Sequence, residues 1–403
     1  MRKLTYSSTL VLIFALPWED SISILGMGSP VKLMGIVVAG LWLATIVVEG
    51  KFRKPHLFHV LVLLFFLWNV VTVFWSSDVE ISIQRIETYG QIFILLLIYW
   101  DLFQNPEDLI SGLQVYILGA YVLIGSTIYN YVAGIVAVQY EGRYSAAGVN
   151  ANDVALMLIL GLPIVLQLFF VTSKNIKGTV LRAINLLYIP LSIFAIVLTG
   201  SRTSIIAIIP FSIFLIGTQR IKIGQKTLAM VMLLVCLFAL LPFVPRSLIE
   251  RIGTVGSSIS EADLGGRVTM WRLSIAVLTQ HPIFGVGSGA VDRIIGGAVH
   301  NTLISVVTET GFIGLGLFLC ILGLVVYAVS RLPRGISGLW LAIFTTWAIG
   351  AFSLSWEFRK VTWIILSFII IESSFDEQVS EHKGNVNFAE GIRRSYEASE
   401  SIS

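Results

Sequence analysis

"NTLISVVTETGFIGLGLFLCILGLVVYAV", residues 301–329, is a run in which Glu309 is the one charged side chain. An α-helix rises about 1.5 Å per residue, so roughly 20 apolar residues already cross the hydrocarbon core of a bilayer. This run therefore reads as a membrane span. Working outward from it, comparable runs recur at 8–27, 32–49, 58–76, 86–102, 109–132, 153–171, 181–199, 203–218, 227–244, 338–355 and 361–372. The total is about twelve spans, with Glu19 and Asp20 interrupting the first. Composition agrees: 56% of the 403 residues are hydrophobic and 13% are charged, and the mean hydropathy is +0.87, outside the range of an ordinary soluble domain. The expected class is an all-α integral membrane protein with one large external loop, 245–300, between the ninth and tenth spans. Its membrane domain covers 1–373, and a polar, mobile, Ser- and Glu-rich cytoplasmic tail follows over 374–403. No internal repeat and no second, soluble domain is expected.

The first apolar run follows Arg2 and Lys3 and is succeeded by many others, so it reads as an uncleaved span and not a signal peptide. Cys236 and Cys320 sit within apolar runs and read as buried packing residues, which leaves no disulfide framework and no cysteine metal site. A net charge of +3 could point to nucleic acid, but the basic residues are scattered through short links between spans, and membrane topology explains them better. Placing the N-terminus in the cytoplasm puts sixteen of the 27 basic residues inside, among them Arg2, Lys51, Arg53, Lys174, Arg182, Arg220, Arg331 and the tail residues Lys383 and Arg393. Both termini are then cytoplasmic. Several of the remaining cations fall in the 245–300 loop, where the positive-inside bias disfavours them, so that loop needs a reason to be basic.

Four stretches open onto the same, outer side in this topology: "EGRYSAAGVNAND" (141–153), "LTGSRTS" (198–204), "GGRVTMWRLSIAVLTQHPIFGVGSG" (265–289) and "VHN" (299–301). They can bring together Arg143, Arg202, Arg267, Arg272 and His300. Arg202 lies in a link only a few residues long, which holds its guanidinium near the interface. A permanent cation there either answers an anionic ligand or snorkels to lipid phosphate or a helix end. Three arginine-bearing loops on one face favour the ligand, because Glu141, Asp153, Glu261, Asp263 and Asp292 are too few to pair with all of them. A phosphate suits the planar, bidentate guanidinium fork. Residues 267–279, with Arg267 and Trp271 on one face, read as an amphipathic helix on the outer leaflet, ended by Gly285, Gly287 and Gly289. His300 is either a proton acceptor near neutral pH or a packing residue at a helix start. Asn301 suits a helix N-cap, and Glu309 is a carboxylate inside a span that calls for a polar partner. No D-x-D pair, H-E-x-x-H or clustered ligand set suggests a metal or another cofactor.

This constellation resembles the O-antigen ligase family, which shares a domain with O-antigen polymerases. The resemblance rests on "GRYSAAGVNANDVAL", "TGSRTS", "GGRVTMW" running into "HPIFGVGSG", and "HNTLISVVTETGFIGLGLF", over roughly 140–330. It implies a twelve-span glycosyltransferase of the bacterial inner membrane whose active site faces the periplasm. It implies a donor polysaccharide on undecaprenyl pyrophosphate and lipid A core as acceptor, with no cofactor. Arg143, Arg202 and Arg267 would hold the pyrophosphate and His300 would assist the acceptor hydroxyl, with Arg272, Trp271 and Asn301 completing the substrate site. A polymerase that joins repeat units on the carrier shares the same motifs. A protein glycosyltransferase using a Ser or Thr acceptor would be expected to carry a further external domain. A transporter of lipid-linked glycan would show paired halves and midplane charges, and here the cations gather at one face.

Overall fold

The computed structural model describes residues 1–22, 29–137, 142–172, 176–217, 241–245, 248 and 266–375. Most of the ninth expected span, residues 249–265 of the long loop and the tail from 376 lie outside these, as do Glu141, Glu261, Asp263 and Cys236. The described chain is helical without strands: α1 Arg2–Ala15, α2 Pro30–Glu49, α3 Leu57–Val71, α4 Val79–Leu102, α5 Pro106–Val132, α6 Ala151–Val171, α7 Ile176–Leu198, α8 Arg202–Ala207, α9 Ile209–Gly217, α10 Arg267–Gln280, α11 Val291–Ile295, α12 Thr302–Arg331 and α13 Arg334–Ala351. A last helix, α14, spans 360–375. Among the described residues seven helices are long and apolar enough to cross a membrane: α2, α3 with its 3-10 extension to Trp75, α4, α5, α6, α7 and α12.

Other expected spans take different forms. The first is α1 followed by a 3-10 turn over Leu16–Ser21. The span expected at 203–218 is split at Ile208, two residues before Pro210, because a proline cannot donate to the preceding turn and crowds it. Helix α14 is short and buried along its length. Its Trp363 packs against Phe65 and Phe318, and its Phe368 packs against Tyr99 and Phe103. Helix α6 is apolar on every side and almost wholly buried, as such a helix must be when it occupies the centre of a bundle. Pro163 leaves α6 one amide short, and a turn upstream the carbonyls of Met157 and Leu158 accept from the hydroxyls of Tyr116 (3.1 Å) and Tyr188 (2.9 Å). The outer helices do the opposite. Leu303, Phe312, Leu319, Val326 and Tyr327 of α12 and Ile36, Val37, Val47 and Val48 of α2 are exposed, an apolar exterior that lipid covers and water would not. Cys320 is exposed on that outer side of α12, which corrects the expectation that it is buried; the apolar run gives the helix but not which side of it faces the bundle.

Because the helices alternate in direction, the links collect at two ends. One gathers Arg2, Glu49, Arg53, Asp101 and Ser374. The other gathers the stretches around Asp20, Ser77, Arg143, Thr199, Arg267, His300 and Phe352–Lys360, joined by contacts such as Arg143 with Thr199, Ser353 with Thr203 and Arg359 with Asp153.

Candidate active site

Helix α12 is broken inside its opening third. Gly311 has φ 67° and ψ −173°, values that only glycine adopts readily, and a Cβ there would collide with the carbonyl of Ile283. The break strands carbonyls in the membrane, where each unsatisfied polar group costs several kcal/mol (about 2–7). The "HPIFGVGSG" segment answers them. Val286 N donates to Thr308 O (3.0 Å), Gly287 N to Glu309 O (3.0 Å), and Phe312 N turns instead to Pro282 O (2.9 Å). The indole of Trp68 donates to Thr310 O (2.8 Å). Gly285 lies so close to the broken turn that a Cβ would strike the Glu309 carbonyl. The other side of the segment is pinned to α3 and α4: Ser288 N donates to Thr72 Oγ1 (3.1 Å), Ser288 Oγ to Asn69 Oδ1 (2.7 Å), and Ser82 Oγ to Ser288 O (2.7 Å). The glycines of this stretch therefore thread a backbone strand through the bundle.

That strand delivers α11 and then His300. His300 has φ 54°, the one left-handed non-glycine residue among those described, a conformation that costs about 1–3 kcal/mol and persists where neighbours over-determine it. They do so here. Val299 N donates to Asp292 Oδ1 (3.2 Å), and Val299 O accepts from the indole of Trp271 (3.0 Å). Asn301 caps α12 by accepting from Ile304 N (3.0 Å), while its Nδ2 donates to Phe352 O (3.1 Å). The half-buried imidazole is held below its ordinary proton affinity, first by burial and then by Arg267, against the opposing pull of Asp292 and Asp153. The lowered affinity favours the neutral ring, the form that can accept a proton.

Helix α8 opens on Arg202 and α10 on Arg267. Thr203 joins them: Arg267 Nη1 donates to its Oγ1 (3.4 Å), which also accepts from Ser353 Oγ (3.0 Å). Thr203, next to Arg202 in the chain, thus touches Arg267, whose charge acts on His300, while Asn301 reaches Phe352 beside Ser353. Arg143 lies beneath it, 1% exposed, with Nε donating to Thr199 O (2.7 Å) and Nη2 to Asn152 Oδ1 (3.0 Å). Trp271 is turned inward against Phe352, whereas Arg272 is exposed on α10.

Four charged neighbours, Arg85, Glu357, Arg359 and Lys360, were not picked out from sequence. Asp153 accepts from the indole of Trp356 (2.8 Å) and from Arg359 Nη2 (2.8 Å); Arg359 also pairs with Asp20, and Lys360 with Glu19. Arg85 of α4 reaches Glu357 (3.3 Å) and lies over the ring of Phe358. Ser305 donates to Glu357 (2.8 Å) and lies 3.4 Å from Glu309, the polar partner expected for that carboxylate. Burial pushes the Glu357 carboxyl above its usual range, against Arg85 and Ser305, and its second oxygen has no hydrogen-bond partner among the described residues. The available signal was "SWEFRK" (355–360), an unusually charged link between two apolar runs.

Residues 187–319 match the family model described as O-antigen ligase. No curated protein matches the chain. The matched segment includes Arg202, Arg267, the threaded strand, His300 and the break in α12.

Proposed function

We propose, from the match of residues 187–319 to the O-antigen ligase family model, that the chain is a membrane glycosyltransferase that moves a polysaccharide from undecaprenyl pyrophosphate to a sugar hydroxyl of lipid A core. The observation that carries this reading is the Thr203 junction, where Arg267, which opens α10, donates to the residue after Arg202 at the start of α8. Arg202 and Arg267 face the donor pyrophosphate, and Arg143 adds its charge from below. Arg272 lies on the approach, and Trp271 and Asn301 hold the segment that presents His300.

In the transfer the acceptor oxygen attacks the anomeric carbon as its proton passes to the His300 ring. The bond from that carbon to the pyrophosphate oxygen breaks, and its electron pair leaves with the pyrophosphate. Guanidinium groups stabilise the charge that develops there, and the base removes the hydroxyl proton. A single displacement inverts the anomeric configuration, which NMR of the product linkage reads; retention would argue against it. Twelve spans, cytoplasmic termini and a periplasmic site complete the proposal, since that orientation puts the arginine-bearing end next to an externally displayed saccharide.

The test is a gel of surface polysaccharide and carrier-linked glycan from a strain lacking the gene. Long chains held on the carrier beside bare lipid A core are expected. Core capped by a single repeat unit would instead identify a polymerase of the same superfamily.

A further inference from the structure

Asp292 stands where α11 turns into the His300 segment, and the transfer as described gives it no part. It holds that segment at two points: its side chain accepts the amide of Val299, the residue before His300, and its carbonyl accepts the amide of Gly297 (3.0 Å). Its carboxylate also lies within electrostatic reach of both Arg85 and His300. Arg267 and Asp292 act on His300 with opposite signs, the first opposing and the second favouring a proton on the ring, while Arg85, which pairs with Glu357, favours the charged form of Asp292. A histidine that takes a proton during a reaction must be aimed, and the cation it becomes must be answered; a carboxylate at its back does both.

We infer that Asp292 is the positioning residue of His300, fixing the ring through the Val299 amide and answering the imidazolium that forms when the acceptor loses its proton. The charge of Arg85 favours the ionised form of Asp292. This rests on His300 being the proton acceptor. Burial pushes the Asp292 carboxyl up, while the Val299 amide, Arg85 and His300 pull it down. The groups that bear on His300 are Arg267 of α10, Asp292 of α11 and Asp153 of α6. Asp153 is occupied by Trp356 and Arg359, which leaves Asp292 as the carboxylate attached to the histidine's own segment.

Asp292→Asn separates the two duties, since an amide oxygen can still accept from Val299 N but carries no charge. The full-length chain, reconstituted in lipid vesicles, is treated with diethyl pyrocarbonate across a pH series, and modification of the His300 peptide is followed by mass spectrometry. Only the neutral ring reacts, so the midpoint reports its titration. Loss of the carboxylate should lower that midpoint by about one pH unit, with Asp292→Glu restoring part of the shift. Transfer from an undecaprenyl-pyrophosphate-linked oligosaccharide should fall about tenfold in kcat, with little change in the KM for donor. An unmoved midpoint in a folded Asp292→Asn protein would overturn the inference while leaving the role of His300 intact. Full transfer by His300→Ala would overturn that role itself.

Discussion

At the end of the bundle that carries Arg2 and Arg53, charge is closed on itself. Asp101, 1% exposed, accepts from the indole of Trp42 (3.1 Å) and the amide of Arg53 (2.9 Å) and lies 3.4 Å from Arg2. The Arg53 side chain lies over Trp100 and reaches Ser374. At the other end Arg267 is held by a hydroxyl and Arg143 by a carbonyl and an amide oxygen, while the carboxylates Asp153 and Glu357 are engaged with Arg359 and Arg85. The first end closes a buried carboxylate with its own cations, and the second is the end to which the proposed reading assigns the donor.

Substitution should separate the two ends. Arg202→Ala or Arg267→Ala is expected to reduce transfer at least a hundredfold, about 2.7 kcal/mol of transition-state stabilisation, with normal protein in the membrane; normal turnover at normal level in either variant would remove that arginine from the site. His300→Ala should lower kcat more than donor affinity, and equal loss of both would point to a structural role. At the opposite end Asp101→Ala strands buried donors and should cost about 3–5 kcal/mol. Its signature is a lower Tm and less protein, with unchanged activity per folded molecule. A selective loss of kcat there would break the comparison.

Gly311→Ala sharpens it from another side. The added methyl group meets the Ile283 carbonyl at a backbone angle that disfavours any side chain, so destabilisation of about 1–3 kcal/mol is expected. That loss should come with impaired transfer, because the same break anchors the strand leading to His300. The pH profile of the intact protein gives a gentler test. A neutral imidazole acts as the base, so kcat/KM should fall on acidification, and because the ring's proton affinity is lowered the midpoint should lie below the ordinary histidine value of about 6.5.

The helices were legible because a bilayer demands long apolar runs, and among the described residues seven such runs fold as helices long and apolar enough to cross one. The gathering of the arginine stretches with His300 was legible because alternating spans place their links at fixed ends. What periodicity could not give is where helices break. Nothing in the apolar run 301–329 distinguishes Gly311 from Gly314 or Gly316 until the strand over 282–288 is seen to supply the missing donors. Arg85 and Glu357 were missed for a related reason: each lies at the margin of an apolar run, and their pairing joins residues 272 positions apart.

The smallest predicted effect isolates what Thr203 contributes. Its hydroxyl is one oxygen among many at this end, yet it accepts from both Arg267 and Ser353 and so sets the spacing between α8 and α10. Thr203→Val keeps the shape and removes the acceptor. A hydrogen bond to a charged group contributes roughly 1.5–3 kcal/mol, but at 3.4 Å and partly exposed this one should contribute about 1 kcal/mol or less. Arg267 keeps its charge in the variant and loses its aim. The expected result is a rise of a few-fold in the KM for donor with little change in kcat, against the loss of at least a hundredfold expected for Arg267→Ala. If Thr203→Val lowers kcat as severely as removing the arginine, orientation and not charge dominates this end of the molecule. If it changes nothing, the guanidinium finds the donor without help from the protein.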